Sequence, residues 1–179
     1  MTTRTNVYID GFNFYYGAIK GGPCKWLDLQ SYFIKLRPDD KVGVIHYFTA
    51  LMNGGSLNRQ QMYLRALATT PLVNITLGKF KPKSYQCKVV ACSHAQSRVF
   101  VGPSEKRTDV NIALQMLEDG FLDRCDTFVL VSGDSDLVPA VDRVRALFPE
   151  KRVVVYIPTR DKNRGAAVEL RAAASKSRD

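Results

Sequence analysis

The chain has 179 residues, of which 45% are of the AVILMFWYC set, enough for one domain with a sizeable core. Lys and Arg number 26 against 17 Asp and Glu, a formal net charge of +9 that predicts attraction to polyanions and says nothing about fold. No apolar run approaches the ~18–20 residues of a membrane span, the start MTTRTNVYID does not read as a secretion signal, and four cysteines without such a signal argue against a disulfide scaffold. A soluble, reduced, cytoplasmic protein with no membrane partner is expected.

Strand-length apolar runs alternate with helical spacings, the pattern of an α/β fold around a mostly parallel sheet flanked by helices. The first strand is centred on Val7-Tyr8-Ile9 and ends at Asp10-Gly11, with a helix starting near Asn13. Asp28 is placed to cap a second helix through Leu29, Phe33 and Leu36. A buried-type strand over Lys41–Ala50 follows, then a helix around Met62, Leu64 and Leu67 and a strand from Val73 to Phe80. The stretch 81–107 breaks the rhythm, with Pro82, Pro103 and no helical stripe, and is expected to be a β-hairpin or loop insertion. The regular order resumes at Thr108, where Val110, Leu114, Leu117 and Phe121 are spaced 4, 3, 4 and predict the inward face of a helix. A strand at Thr127–Val131, a helix through Val138, Val141, Val144 and Leu147, a strand at Arg152–Ile157 and a helix at Ala166–Ala174 complete the chain. Residues 1–174 form the expected single domain, and the basic residues 175–179 are expected to be a disordered tail.

In an open parallel sheet, ligands bind beyond the carboxyl ends of the strands, where the chain order reverses. Asp10 ends the first strand, Asp134 and Asp136 follow the Thr127–Val131 strand, and Asp109 opens a helix facing the same edge. Each acid alone has an ordinary structural explanation as a turn or capping residue. Together they do not: two carboxylates ~4 Å apart repel by roughly 4 kcal/mol at an effective dielectric near 20. Only Lys106 and Arg107 lie close by in sequence, so a divalent metal is the economical answer, and hard oxygen ligands select Mg²⁺ or Mn²⁺ over zinc. Those ions suit phosphodiester hydrolysis.

Val7-Tyr8-Ile9-Asp10-Gly11-Phe12-Asn13, Glu105-Lys106-Arg107-Thr108-Asp109-Val110 and Ser132-Gly133-Asp134-Ser135-Asp136-Leu137-Val138-Pro139 resemble the three motifs of the NYN domain family, the LabA-like branch of the PIN-like nucleases. All three occur in order, over about residues 6 to 172. The resemblance implies a Rossmann-like PIN fold and a metal-dependent ribonuclease, with Asp10, Asp109, Asp134 and Asp136 as the acidic metal-binding and catalytic set. Asn13 stands at the accompanying polar position, and Lys106 at a basic position before Asp109. With Arg107 and Ser132 these are the expected substrate contacts.

From Lys79 to Arg107 there are seven Lys and Arg against Glu105 alone, interleaved with Phe80, Tyr85 and Phe100, a composition suited to gripping a single strand or simply to a solvated face. Phe12, Phe14, Tyr15 and Tyr16 follow the first motif, some as core and one or two as pocket lining. Cys87, Cys92 and His94 form a C-x₄-C-x-H cluster, read first as ordinary loop residues and second as part of a zinc-pinned hairpin completed by Cys24, His46 or Cys125. The favoured activity is an Mg²⁺/Mn²⁺-dependent ribonuclease. The alternative is a nucleic-acid-binding or scaffold protein that keeps the fold without turnover, and in either case a homodimer is compatible with exposed sheet edges.

Overall fold

The computed structural model describes residues 2–52, 57–89, 98–160 and 167–178. Among them, eight strands and six α-helices follow the α/β order: β1 (Thr3–Asp10), α1 (Gly11–Phe14, continuing as a π-helical turn over Tyr15–Ile19), α2 (Leu29–Leu36), β2 (Asp40–Thr49), α3 (Leu57–Ala68) and β3 (Val73–Leu77). Then come β4 (Lys79–Gln86), β5 (Val99–Lys106), α4 (Thr108–Phe121), β6 (Thr127–Val131), α5 (Val138–Leu147), β7 (Arg152–Tyr156), α6 (Val168–Ala173) and β8 (Lys176–Arg178). Six strands make one parallel sheet in the order β3-β2-β1-β6-β7-β8. The chain moves outward from β1 to β3 and returns to β6 on the other side, so the order reverses between β1 and β6.

Alternation along β1 sets the two layers. Val7 and Ile9 join the core with α1, α2 and α3, including Phe14, Leu29, Phe33 and Leu64. Tyr8 joins the opposite core, beneath α4, α5 and α6, with Ile112, Met116, Val141, Val144 and Leu170. Asn6, Tyr8 and Asp10 therefore share the α4 face of the strand.

The stretch expected as a hairpin or loop is a two-stranded antiparallel ribbon, β4 with β5, inserted between β3 and α4. The single strand expected over Val73–Phe80 splits at Gly78. There the N–H donates to the Thr49 carbonyl at 2.7 Å, and a Cβ would stand 2.7 Å from the Lys106 carbonyl oxygen and 3.0 Å from Thr108 Oγ1. That close passage moors both ends of the ribbon beside the end of β2.

Two sequence expectations are corrected. Val110, Leu114 and Phe121 do not form the inward face of α4; they are 61%, 60% and 68% exposed. The buried face is Thr108, Ile112, Met116, Asp119 and Gly120, because the helix packs through a stripe with polar ends that complement polar groups on the sheet. The expected disordered tail instead contains β8, paired in parallel with β7, with Ile157 N–H donating to the Arg178 carbonyl at 2.8 Å.

Candidate metal centre

Asp10 closes β1 and caps α1 at once. Its Oδ1 accepts from the Asn13 N–H at 3.0 Å, its Oδ2 from Asn13 Nδ2 at 2.7 Å and from Ser132 Oγ at 3.0 Å. Ser132 Oγ in turn accepts from the Asp134 N–H at 3.1 Å, and Asn13 Oδ1 accepts from the Gly133 N–H at 3.3 Å. These bonds tie the end of β1 to the turn after β6 across the point where strand order reverses. Asn13 and the fully buried Ser132 thus brace the acids.

Asp109 arrives from the first turn of α4. One carboxylate oxygen from each of Asp10, Asp109 and Asp134 lies within 4.8 Å of the others. Asp136 is outside this group; its N–H donates to Asp134 Oδ1 at 3.0 Å, and its charge still bears on Asp109. A further acid belongs here that the sequence reading leaves out of the site. Glu105, at the end of β5, accepts from the Thr108 hydroxyl and senses Asp10, Asp109 and Asp134. It stands in the same short motif as Asp109, four residues earlier, and that proximity is the available signal.

The electrostatics describe a site short of positive charge. Burial, reinforced by Asp134, Asp10 and Asp136 and opposed by Lys106, pushes Asp109 up to about 6. Burial pushes Glu105 up to about 7 against the stabilising Thr108 hydrogen bond, with the three aspartates adding to the rise. Asp10 is raised chiefly by burial, although Asn13 and Ser132 donate to it. Proton uptake is how the apo site relieves its repulsion, and a divalent cation relieves it without protons. Three converging carboxylates with no imidazole or thiolate among them suit Mg²⁺ or Mn²⁺.

Lys106 is exposed at the end of β5 and close enough to lower Asp109; Arg107, also exposed, takes a left-handed backbone (φ 85°) at the turn into α4. On the ribbon, Lys79, Lys81 and Lys83 alternate with Phe80, so they share one face with Lys106, the partner of Lys79. Phe80 meets Phe12 edge-on at 5.4 Å, while Tyr85 and Phe100 stack on each other at 5.6 Å.

Of the zinc candidates, Cys92 and His94 lie outside the described residues, and Cys87 is a half-buried free thiol. His46 and Cys125 are committed elsewhere, to a buried cluster around Asp119. That carboxylate accepts from Tyr8 Oη at 2.7 Å, Asn6 Nδ2 at 2.9 Å, Gln115 Nε2 at 2.9 Å and Arg124 Nη1 at 3.1 Å, with His46 Nε2 at 3.2 Å; Cys125 Sγ lies 3.8 Å from Tyr8 Oη. Cys24 is an exposed free thiol.

An α/β sheet with acids converging at its switch point defines a PIN-like architecture. The chain belongs to the NYN domain family, whose profile matches residues 4–179. Among characterised proteins it is similar to the 6-hydroxy-3-succinoylpyridine 3-monooxygenase HspA of Pseudomonas putida, at 33% identity over 93% of this chain. The chain spans 63% of that relative's length. In fold it is similar to a protein of unknown function from Vibrio parahaemolyticus, with a TM-score of 0.57, 18% identity, and coverage of 98% of this chain and 91% of the other. Among the described residues no helix is long and apolar enough to cross a membrane.

Proposed function

We propose that the protein is a divalent-metal-dependent nuclease acting on RNA. The observation that carries the reading is the convergence of one carboxylate oxygen each from Asp10, Asp109 and Asp134, on three separate segments, to within 4.8 Å of one another, with Asp109 and Glu105 raised by burial and by their acidic neighbours. Those three aspartates would hold Mg²⁺ or Mn²⁺, and a bound ion supplies charge stabilisation for a phosphoryl group and a water of lowered pKa. Asn13 and Ser132 fix the orientation of Asp10, and Ser132 also positions the Asp134 backbone. Asp136 and Glu105 stand in reach as further acidic groups around the site. Lys106 and Arg107, with the lysines of the ribbon, supply the positive surface that holds a polyanion beside the acids.

The test is cleavage of a labelled single-stranded RNA by the chelator-treated protein. Cleavage that requires added Mn²⁺ and stops with excess EDTA supports the reading. RNA that binds equally well with and without Mn²⁺ and stays intact supports the non-catalytic alternative. The name of the monooxygenase relative suggests a second reading, a small aromatic acid as substrate, and an aromatic-walled cavity beside α1 is the observation that favours it. Consumption of such an acid in place of RNA cleavage would select it.

The raised carboxylates also predict how metal binding depends on pH. Their folded pKa values exceed the unfolded ones, so ionisation destabilises the metal-free fold as pH rises from about 4 through about 6 for Asp109 and about 7 for Glu105. Metal removes that penalty. The gain in Tm on adding Mn²⁺ is expected to be small at pH 5, to grow up to about pH 7 and then to level off. A gain that is constant across this range contradicts a role for Asp109 as a ligand with Glu105 beside it.

A further inference from the structure

A cavity of about 370 Å³ opens beside α1, within the size range of small-molecule sites. Its walls include Tyr15, Tyr16, Trp26, Tyr47 and Tyr63, and its rim carries Lys20, Lys25 and Arg59; no carboxylate lines it. Trp26 is 56% exposed and Tyr16 52%, a large unburied aromatic surface for two neighbours of one cavity. Trp26 meets Tyr63 edge-on at 6.1 Å and Tyr47 meets Tyr63 edge-on at 6.4 Å, so faces and edges of several rings are held in place rather than collapsed together. Lys20 lies over the Tyr16 ring at 4.7 Å. Among the described residues none of the three cations makes an ion pair.

We infer that this cavity is a nucleotide subsite, which stacks one base of the RNA strand between its aromatic side chains and holds the adjoining phosphate with Lys20, Lys25 and Arg59. This deepens, and rests on, the reading of the protein as an RNA nuclease. The position supports it. Gly11 lines the cavity and directly follows Asp10, and Thr49, also a lining residue, follows Phe48, the register partner of Asp10 on β2. Gly11 is closely packed, since a Cβ there would stand 2.7 Å from the Phe48 carbonyl oxygen and 2.9 Å from Tyr47 Cζ, so the Tyr47 wall of the cavity abuts the turn that follows Asp10. A strand whose scissile phosphate lies at Asp10 thus has a binding place for a flanking nucleotide. The chemistry supports it too. A small acid and a single phosphodiester each carry one negative charge, so three cations without ion pairs around rings suit a continuing strand that brings several phosphates past the cavity, and stacking accepts any base because every base has a π-face. The subsite therefore grips the strand without fixing its sequence.

The experiment uses the full chain, whose single tryptophan is Trp26, with EDTA present so that no RNA is cut. Trp26 fluorescence is titrated with adenosine and uridine 5′-monophosphates, with a 2′-O-methyl RNA tetranucleotide, with inorganic phosphate and with nicotinate as a planar acid lacking phosphate. Saturable quenching by both mononucleotides is expected, with the tetranucleotide about tenfold tighter and the Lys25→Gln/Arg59→Gln double variant about tenfold weaker. Both altered cations are exposed, and a thermal melt checks that the double variant folds. Absence of saturable quenching, quenching indifferent to the loss of both cations, or nicotinate binding more tightly than the mononucleotides overturns the subsite. A protein that cuts RNA with no Trp26 response refutes the cavity and leaves the nuclease reading standing; quenching without cleavage under Mn²⁺ does the reverse.

Discussion

Asp10→Asn is expected to lower Mn²⁺-dependent RNA cleavage by about 10³-fold, since the several kcal/mol that a positioned ion contributes to a phosphoryl transition state correspond to that factor. The same variant should fold as well as wild type without metal. Asparagine keeps an oxygen to accept from the Asn13 N–H, so the cap of α1 survives, but its amide nitrogen meets Asn13 Nδ2 and Ser132 Oγ, which donate to Asp10 Oδ2 in the wild type, at a cost of about 1 kcal/mol. It also removes one negative charge from a site where Asp109 and Glu105 are raised partly by Asp10. The relief of charge offsets the lost hydrogen bonding, so the metal-free Tm of the variant should stay close to that of wild type, while the rise on adding Mn²⁺ is lost. Activity lost at nearly unchanged apo stability is the signature of a functional acid cluster. A variant that loses activity only because it has unfolded would show both falling together, and thermal melts beside the cleavage assay distinguish the two.

The largest stability effect is expected at the other end of α4. Asp119→Ala should cost about 3–5 kcal/mol, because it deletes the shared acceptor of a buried cluster. Tyr8 Oη and the Asn6 amide both donate to Asp119 Oδ2, and His46 Nε2 lies 3.2 Å from it, with His46 Nδ1 already lacking a partner. For a chain of this length the loss corresponds to a fall in Tm of about 10 °C. Burial works against ionising Asp119, but the hydrogen bonds from His46, Tyr8 and Asn6 outweigh it and hold its pKa well below the usual carboxylate range. A depressed folded pKa means that this stabilisation is present above the unfolded value near 3.9 and is lost as pH falls below it. Urea melts between pH 3 and 7 are the check. Wild type should lose stability over the acid limb, and Asp119→Ala should show a lower, flatter profile there. An unchanged midpoint in the variant would remove the cluster from the account of how β1 is held.

The two predictions concern one structural relation. Helix α4 runs against β1 so that Asp109 meets Asp10 at one end and Asp119 meets Asn6 and Tyr8 at the other. Ten helical residues rise about 15 Å and four strand residues about 13 Å, so the two spans match. This relation explains what was legible in sequence and what was not. The strand ends, the cap at Asp28 and the acids at Asp10, Asp109 and Asp134 could be read because each lies at a boundary marked by local chemistry. The β4–β5 ribbon was legible as an interruption, from its prolines and missing helical stripe. The inward face of α4 was not, because apolar periodicity favours Val110, Leu114 and Phe121, whereas the helix turns Asp109, Ile112, Met116 and Asp119 toward the sheet. A stripe with acids at both ends reads as solvent-facing until partners 73 to 113 residues away are known.

The roles of Asn13 and Ser132 were hidden for a related reason. Motif position marks both as belonging to the site, but only three-dimensional contact separates a group that braces an acid from one that touches a ligand. Strand β8 was missed because Lys176, Ser177 and Arg178 carry no apolar alternation; it adds to the sheet edge through backbone bonds. The cavity beside α1 gathers residues from Gly11 to Tyr63, and its aromatic content was foreshadowed only by Phe12, Phe14, Tyr15 and Tyr16.

The most direct test of the central claim is a crystal of the protein soaked in Mn²⁺, with diffraction recorded at a wavelength where manganese scatters anomalously. The account predicts an anomalous peak in contact with oxygens of Asp10, Asp109 and Asp134, absent from crystals of Asp10→Asn. A featureless map at that point, or a peak that persists unchanged in the variant, would contradict it.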